Sequence, residues 1–298
     1  VHRKIEETSI QFILTGSSAR KLRRGPANLL AGRAFVFNLY PLIEQELKES
    51  SSLESVLTFG SLPKIYELDS KKNRIRFLRT YAQTYLKEEV FAKQLVRNLD
   101  PFRLFMEIAA RAHGQVINYS AIARDVGVDS KTVQSYLQIL EDTLVGFLLS
   151  SYHRSLRKRQ RQAPKFYFFD SGLQRTLSNS IDIPLRPHMF AYGLAFEHLV
   201  ITELLRRSAY AEKGYRFSYL RSEGGAEVDL VIEKPTGEVL VEIKSSERVE
   251  RENLRHLISY AKDFPAADKI CLARVERIEQ FDSIKVMPSL EGIEYILS

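Results

Sequence analysis

The chain has one cysteine, Cys271. A lone thiol excludes an internal disulfide and a cysteine-based zinc site. Its apolar setting, KICLARV, reads as a buried strand position. No apolar run is long enough to span a bilayer and no leader-like segment is visible, so the expected location is cytoplasmic, with no membrane partner. The pattern G-x-x-x-x-G-K-[ST] is also missing. Gly16, Gly25 and Gly32 have the wrong spacing and lack the Lys-Ser/Thr that completes a phosphate cradle, so this chain by itself is not expected to hydrolyse ATP. Neither charge sign is scarce: 44 Lys and Arg against 37 Asp and Glu leave a net +7, which suits a polyanionic partner without requiring one. The 298 residues leave room for two or three domains. The chain opens on Val1 in mid-pattern, so a longer parent protein is expected.

The most informative stretch is residues 226–246, AEVDLVIEKPTGEVLVEIKSS. Two runs alternate apolar and polar residues around Lys-Pro-Thr-Gly, the signature of a β-hairpin. Val228, Leu230 and Ile232 are expected on one face of the first strand, with Asp229, Val231 and Glu233 on the other. On the second strand Leu240, Glu242 and Lys244 share a face opposite Val239, Val241 and Ile243. A turn centred on Pro235 and Thr236 places Asp229 opposite Glu242, with Cβ atoms ~5 Å apart. Facing carboxylates need a neutralising partner, and hard divalent cations take carboxylate oxygens. A nearby Lys244 can orient water or offset phosphate charge.

An Asp on one strand followed by Glu-x-Lys on the next resembles the PD-(D/E)xK nuclease superfamily. In that fold a preceding helix often adds another acid. The candidate helix here is residues 190–208, whose apolar stripe runs through Leu194, Ile201, Leu204 and Leu205 and contains Glu197. An acid on such a stripe needs a metal, a water or a base beside it. The resemblance implies Mg²⁺ or Mn²⁺ on Asp229, Glu242 and Glu197, the Ile243 carbonyl as a further ligand, and Lys244 positioning the attacking water.

Residues 10–14 read as a buried strand entering a small polar turn, and LLAGRAFVFNLYPL as a second strand ending at Pro41; helices are expected from there to Asn98, broken at Ser50 to Ser52 and at Gly60 to Pro63. The order FILTGSSA, LLAGR, YPLIEQEL, GSLPKIY, TYLKEEV resembles the second half of an AAA-type ATPase family of bacteria and archaea, in which a C-terminal domain of unknown function follows the ATPase. That resemblance makes Thr15 and Ser17 counterparts of the nucleotide-sensing strand end, and Arg33 of the arginine that meets a neighbour's nucleotide. It implies ATP only for a full-length parent, since the phosphate-binding half is missing here. ATPases of this type often assemble as rings or dimers, so a homo-oligomer is an open expectation.

Between these parts, residues 101–112, 119–126 and 131–143 read as three helices. Gly127 supplies a turn, Asp129 or Ser130 a cap, and Val133, Leu137 and Leu140 a buried stripe. Two strands follow, VGFLLSSY and KFYFFD, joined by a basic tip that holds Arg154, Arg157, Lys158, Arg159 and Arg161. The ensemble resembles a winged helix. Its tip suits phosphate contacts, and Lys131 and Gln134 lie off the apolar stripe, where they can meet a DNA groove. A protein-docking role fits the same fold.

The sequence therefore predicts an α/β protein: the C-terminal part of an AAA-type ATPase with a helical lid over 1–100, a winged helix-turn-helix over 101–172, and a PD-(D/E)xK nuclease-like domain over 173–298. Its expected function is metal-dependent phosphodiester hydrolysis on nucleic acid, with DNA the expected partner of the winged helix. The alternative is a non-catalytic nucleic-acid or protein binding module in a nucleotide-driven switch.

Overall fold

A computed structural model describes residues 11–16, 35–47, 51–84, 96, 98–153, 162–222 and 224–298. The chain is a mixed α/β protein. All strands among the described residues come from the stretch after Asp142 and join one eight-stranded sheet, while the helices before it build a separate core.

Helix α1, Leu53–Phe59, starts where the Ser52 hydroxyl accepts the Ser55 amide, and α2 is Lys71–Thr84. Three more helices follow: α3 Leu99–Arg111, α4 Tyr119–Val126 and α5 Ser130–Asp142. Gly127 ends α4 in the left-handed region at φ 76°, and the Asp129 carboxylate caps α5 by accepting the Thr132 amide at 2.8 Å. Phe102, Phe105 and Tyr136 pack ring against ring at the centre of this helical core, with Val133, Leu137 and Leu140 beneath them.

The hairpin β1, Gly146–Ser151, and β2, Lys165–Phe168, comes next, followed by α6, Ser171–Leu177, and the long α7, Phe190–Tyr210. Then come β3 Arg216–Arg221, β4 Glu227–Lys234, β5 Gly237–Lys244, α8 Arg255–Tyr260, β6 Asp268–Ala273, β7 Glu279–Phe281, β8 Ile284–Pro288 and α9 Ser289–Leu297. The sheet order is β2-β1-β3-β4-β5-β6-β8-β7. Strand β1 pairs with β3 in parallel, so the hairpin that follows the helical unit is also the margin of the sheet. The β5-α8-β6 crossover joins parallel neighbours. On one face α7 and α9 cover Leu230, Ile232, Val239, Val241 and Ile243. On the other, Leu254 and Leu257 cover Val231, Leu240 and the buried Cys271.

Three readings of the sequence need correction. Among the described residues, 11–14 and 35–39 form no strand: Ile13 and Phe35 are each 91 % exposed and no ladder from another described residue reaches them. A strand exists only through a neighbour's hydrogen bonds, and the sheet offers these segments none. The run IEYIL, which by composition reads as a strand closing the sheet, lies instead in α9. Ile293, Ile296 and Leu297 recur at helical spacing against α7, and Gly292 lets the helix lie on Leu272, where a Cβ would fall 2.2 Å from that side chain. Finally, Val228 packs with Val231 and Leu240, not with Leu230 and Ile232.

Candidate active site

The last correction has a cause that shapes the site. Strands β3 and β4 pair as Ser218↔Val231 and then Leu220↔Val228, two steps on β3 against three on β4. Asp229 and Leu230 together oppose Tyr219, which is a β-bulge and breaks the alternation at Asp229. The β4–β5 register runs from Lys234↔Gly237 through Leu230↔Val241, as the Pro235-Thr236 turn predicts. Beyond Leu230 the Asp229 side chain takes over from the backbone: its Oδ2 accepts the Ile243 amide at 2.7 Å. Asp229 is therefore anchored to the strand that carries Glu242 and Lys244.

Glu242 is 4 % exposed. Its Oε1 pairs with Lys244 Nζ at 2.6 Å, and its Oε2 is buried without a hydrogen-bond partner. Burial, reinforced by Asp229, pushes Glu242 up to about 8. Glu197 comes from the middle of α7, half-buried as its place on the apolar stripe predicts. Burial and then Asp229 push it up to about 7. Asp229 is itself raised by burial, with Lys244 and Lys165 opposing the rise. Burial works against the charge on Lys244, but Glu242 and Asp229 together with smaller contributions outweigh it and the ammonium is held above its usual range. The four residues singled out in the sequence thus share one electrostatic neighbourhood. Among the described residues, however, no three His, Cys, Asp or Glu side chains form a ready metal cage.

The site also contains three residues that sequence reasoning missed, Lys165, Tyr167 and Glu227. Lys165 of β2 is 4 % exposed and pairs with Glu227 Oε1 at 2.5 Å. Burial alone would lower Lys165, yet Glu197, Glu227 and Asp229 hold it above the usual lysine range. Arg221 lies 3.8 Å from the other Glu227 oxygen at the rim. Tyr167, also on β2, donates its hydroxyl to Glu197 Oε1 at 2.8 Å. One signal was available: KFYF places a lysine and a tyrosine at alternate positions of a strand too apolar to lie in solvent.

The remaining candidates stand apart from this cluster. Lys131 and Gln134 lie on the exposed face of α5, which contributes nothing to the acidic site. Thr15 is exposed in a stretch without regular structure. Ser17, Arg33, Arg154, Arg157, Lys158, Arg159 and Arg161 lie outside the described residues.

Comparison with known proteins gives partial matches. Residues 192–291 match the family model Domain of unknown function (DUF4143), and residues 50–182 match Domain of unknown function (DUF8612). The uncharacterized protein Rv2008c of Mycobacterium tuberculosis is 26% identical over 223 residues, 75% of this chain and 49% of that protein. Two uncharacterized proteins of Methanocaldococcus jannaschii, MJ1544 and MJ1637, are 23% and 25% identical, covering 77% and 82% of this chain and 54% and 58% of their own lengths. No solved structure matches. The chain spans about half the length of the curated relatives it resembles, and the stretch 192–291 that matches DUF4143 carries Glu197, Asp229, Glu242 and Lys244.

Proposed function

We propose that residues 173–298 are a PD-(D/E)xK-like domain that hydrolyses phosphodiesters with Mg²⁺ or Mn²⁺. In this reading residues 101–172 are a winged helix that grips DNA, and the chain is the C-terminal portion of an AAA-type ATPase-like protein whose ATP-binding half lies elsewhere in the parent. The observation that carries the reading is the unpartnered, buried Glu242 Oε2. It sits where four carboxylates, Glu197, Glu227, Asp229 and Glu242, meet two ammoniums, Lys165 and Lys244. With all four acids ionised, two negative charges would exceed the two ammoniums, with Arg221 only at the rim; without a cation, protons held by Glu242 and Glu197 offset that excess, and a cation would displace them. A divalent cation matches both the charge and the hard oxygen donors. Mg²⁺ commonly binds through one or two carboxylates and keeps several waters, so it needs no ready cage of three.

Asp229 and Glu242 would hold the ion, with Glu197 reaching it directly or through water. When bound, the metal supplies charge stabilisation to a phosphoryl oxygen and makes water easier to deprotonate. The protein's own groups do the positioning. The Ile243 amide fixes Asp229, and the Lys244 ammonium stands beside Glu242, where it orients water or offsets phosphate charge. Lys131 and Gln134, on an exposed helix face, would reach the DNA.

The test is calorimetric titration of Mn²⁺ into the wild-type chain and Asp229→Ala, followed by cleavage assays on single- and double-stranded DNA. The expected outcome is heat that vanishes in the variant, with cleavage lost in Asp229→Ala, Glu242→Ala and Lys244→Ala while DNA binding persists. No Mn²⁺ heat in the wild type, or equal heat in both proteins, would overturn the enzyme reading and leave a binding module.

A further inference from the structure

Strand β2 is four residues long, and every one of them is buried. Its period-two alternation divides it between two cores. Phe166 and Phe168 belong to the helical core, while Tyr167 belongs to the core between α7 and the sheet. Both edges of the strand are bonded. On one side lies β1, in register from Gly146↔Phe168 to Leu149↔Lys165. On the other lies the turn after α3, where Gly114 donates its amide to the Phe166 carbonyl and Ile117 to the Pro164 carbonyl, each at 2.9 Å.

Phe168 is held at both its backbone groups. Its amide donates to His113 Nδ1 at 3.2 Å, and its carbonyl lies 2.6 Å from His198 Nε2. Burial holds both imidazoles below their usual range, so they stay neutral and serve as one acceptor and one donor. His198 is the neighbour of Glu197 on α7, and Tyr167 is the neighbour of Phe168 on β2. The Tyr167 hydroxyl thus leaves a strand with little freedom and meets the carboxylate next to His198 at 2.8 Å.

We infer that Tyr167 is a positioning residue of the acidic site. It orients Glu197 toward the metal, and the helix-turn-helix unit and the metal-binding hairpin share β2 as one structural strand. The inference rests on the metal-site reading above. Tyr167 acts through Glu197 and touches no substrate. Groups that orient metal-binding carboxylates typically alter affinity by about 10–100-fold when removed. The shared strand also makes the site dependent on the helical unit, because the turn after α3 supplies the outer hydrogen bonds of β2.

The experiment uses the full chain and Mn²⁺ alone, with affinity read by calorimetry and ligand geometry by the electron paramagnetic resonance pattern of the bound ion. Tyr167→Phe removes one oxygen and keeps the ring. It should weaken Mn²⁺ binding about tenfold and change the resonance pattern, with the melting temperature held. Tyr192→Phe is the control, since that hydroxyl is buried in the same core without a hydrogen-bond partner; it should change neither readout. In a Glu197→Ala background, which removes the acceptor, Tyr167→Phe should have no further effect, because the two act as one unit. Wild-type affinity in Tyr167→Phe, alongside loss in Asp229→Ala, would overturn this inference and spare the metal site. An equal loss with and without Glu197→Ala would overturn it as well. Absence of Mn²⁺ binding by the wild type would instead remove the proposed function, and this inference with it.

Discussion

Replacing Glu242 with Gln should raise the stability of the metal-free protein at alkaline pH. The Glu242 carboxyl moves from 4.5 to about 8 on folding, because burial and Asp229 both penalise its charge. A group with a raised folded pKa binds its proton more tightly in the folded state. Its contribution is fully present at low pH and is lost as pH rises from 4.5 through about 8. Every tenfold gain in proton affinity corresponds to about 1.4 kcal/mol, so the loss across this window is on the order of 4 kcal/mol. The amide in Glu242→Gln keeps Oε1 as an acceptor for Lys244 and carries no charge to bury. Urea unfolding in the presence of a chelator, repeated from about pH 5 to about pH 8.5, gives the stability of both proteins. The wild-type stability minus that of the variant should fall steadily over the window. The buried His113 and His198, both lowered, contribute pH dependences common to both proteins, which cancel in the difference; the charge of Glu197 acts on Glu242, so the comparison is repeated in a Glu197→Gln background. Saturating Mn²⁺ at alkaline pH should restore the wild type and leave Glu242→Gln unchanged. A flat difference curve would refute the claim that Glu242 is held against its charge.

Two further predictions follow from packing and charge. Gly172→Ala should destabilise the fold by about 2–3 kcal/mol in chemical denaturation, because the added Cβ would fall 2.1 Å from the Phe59 carbonyl oxygen, where α6 crosses the end of α1. Lys165→Met should cost about 1–3 kcal/mol by taking from the partly exposed Glu227 its 2.5 Å partner and leaving it only Arg221, and adding Glu227→Gln should recover part of that loss in a double-mutant cycle.

Local interactions were legible in the residues themselves. Pro235 and Thr236 make a two-residue turn, and the alternation on either side sets the β4–β5 register, since a one-residue slip would turn every apolar side chain to the wrong face. Gly127 and Asp129 punctuate α4 and α5, because a left-handed backbone and an unsatisfied amide can each be met by one neighbouring residue. Glu197 was recognisable as an acid on an apolar stripe, and Asp229, Glu242 and Lys244 as a triplet at strand spacing.

Tertiary structure decided the rest. The bulge that gathers Asp229 toward the other acids is set by pairing with β3, and nothing within residues 226–246 encodes it. Lys165 and Tyr167 join the site only because β2 is buried between two cores whose members lie far apart in the chain. The apolar run at 35–39 has strand composition but no strand partner among the described residues, and the run in α9 has strand-like residues but a helical neighbour. By itself the sequence determined what its short-range geometry could satisfy: turns, caps, alternation and the acids of the hairpin. Which faces those elements bury, and which distant side chains neutralise the acids, depends on long-range packing, because burial is a property of the assembled core and not of any one segment.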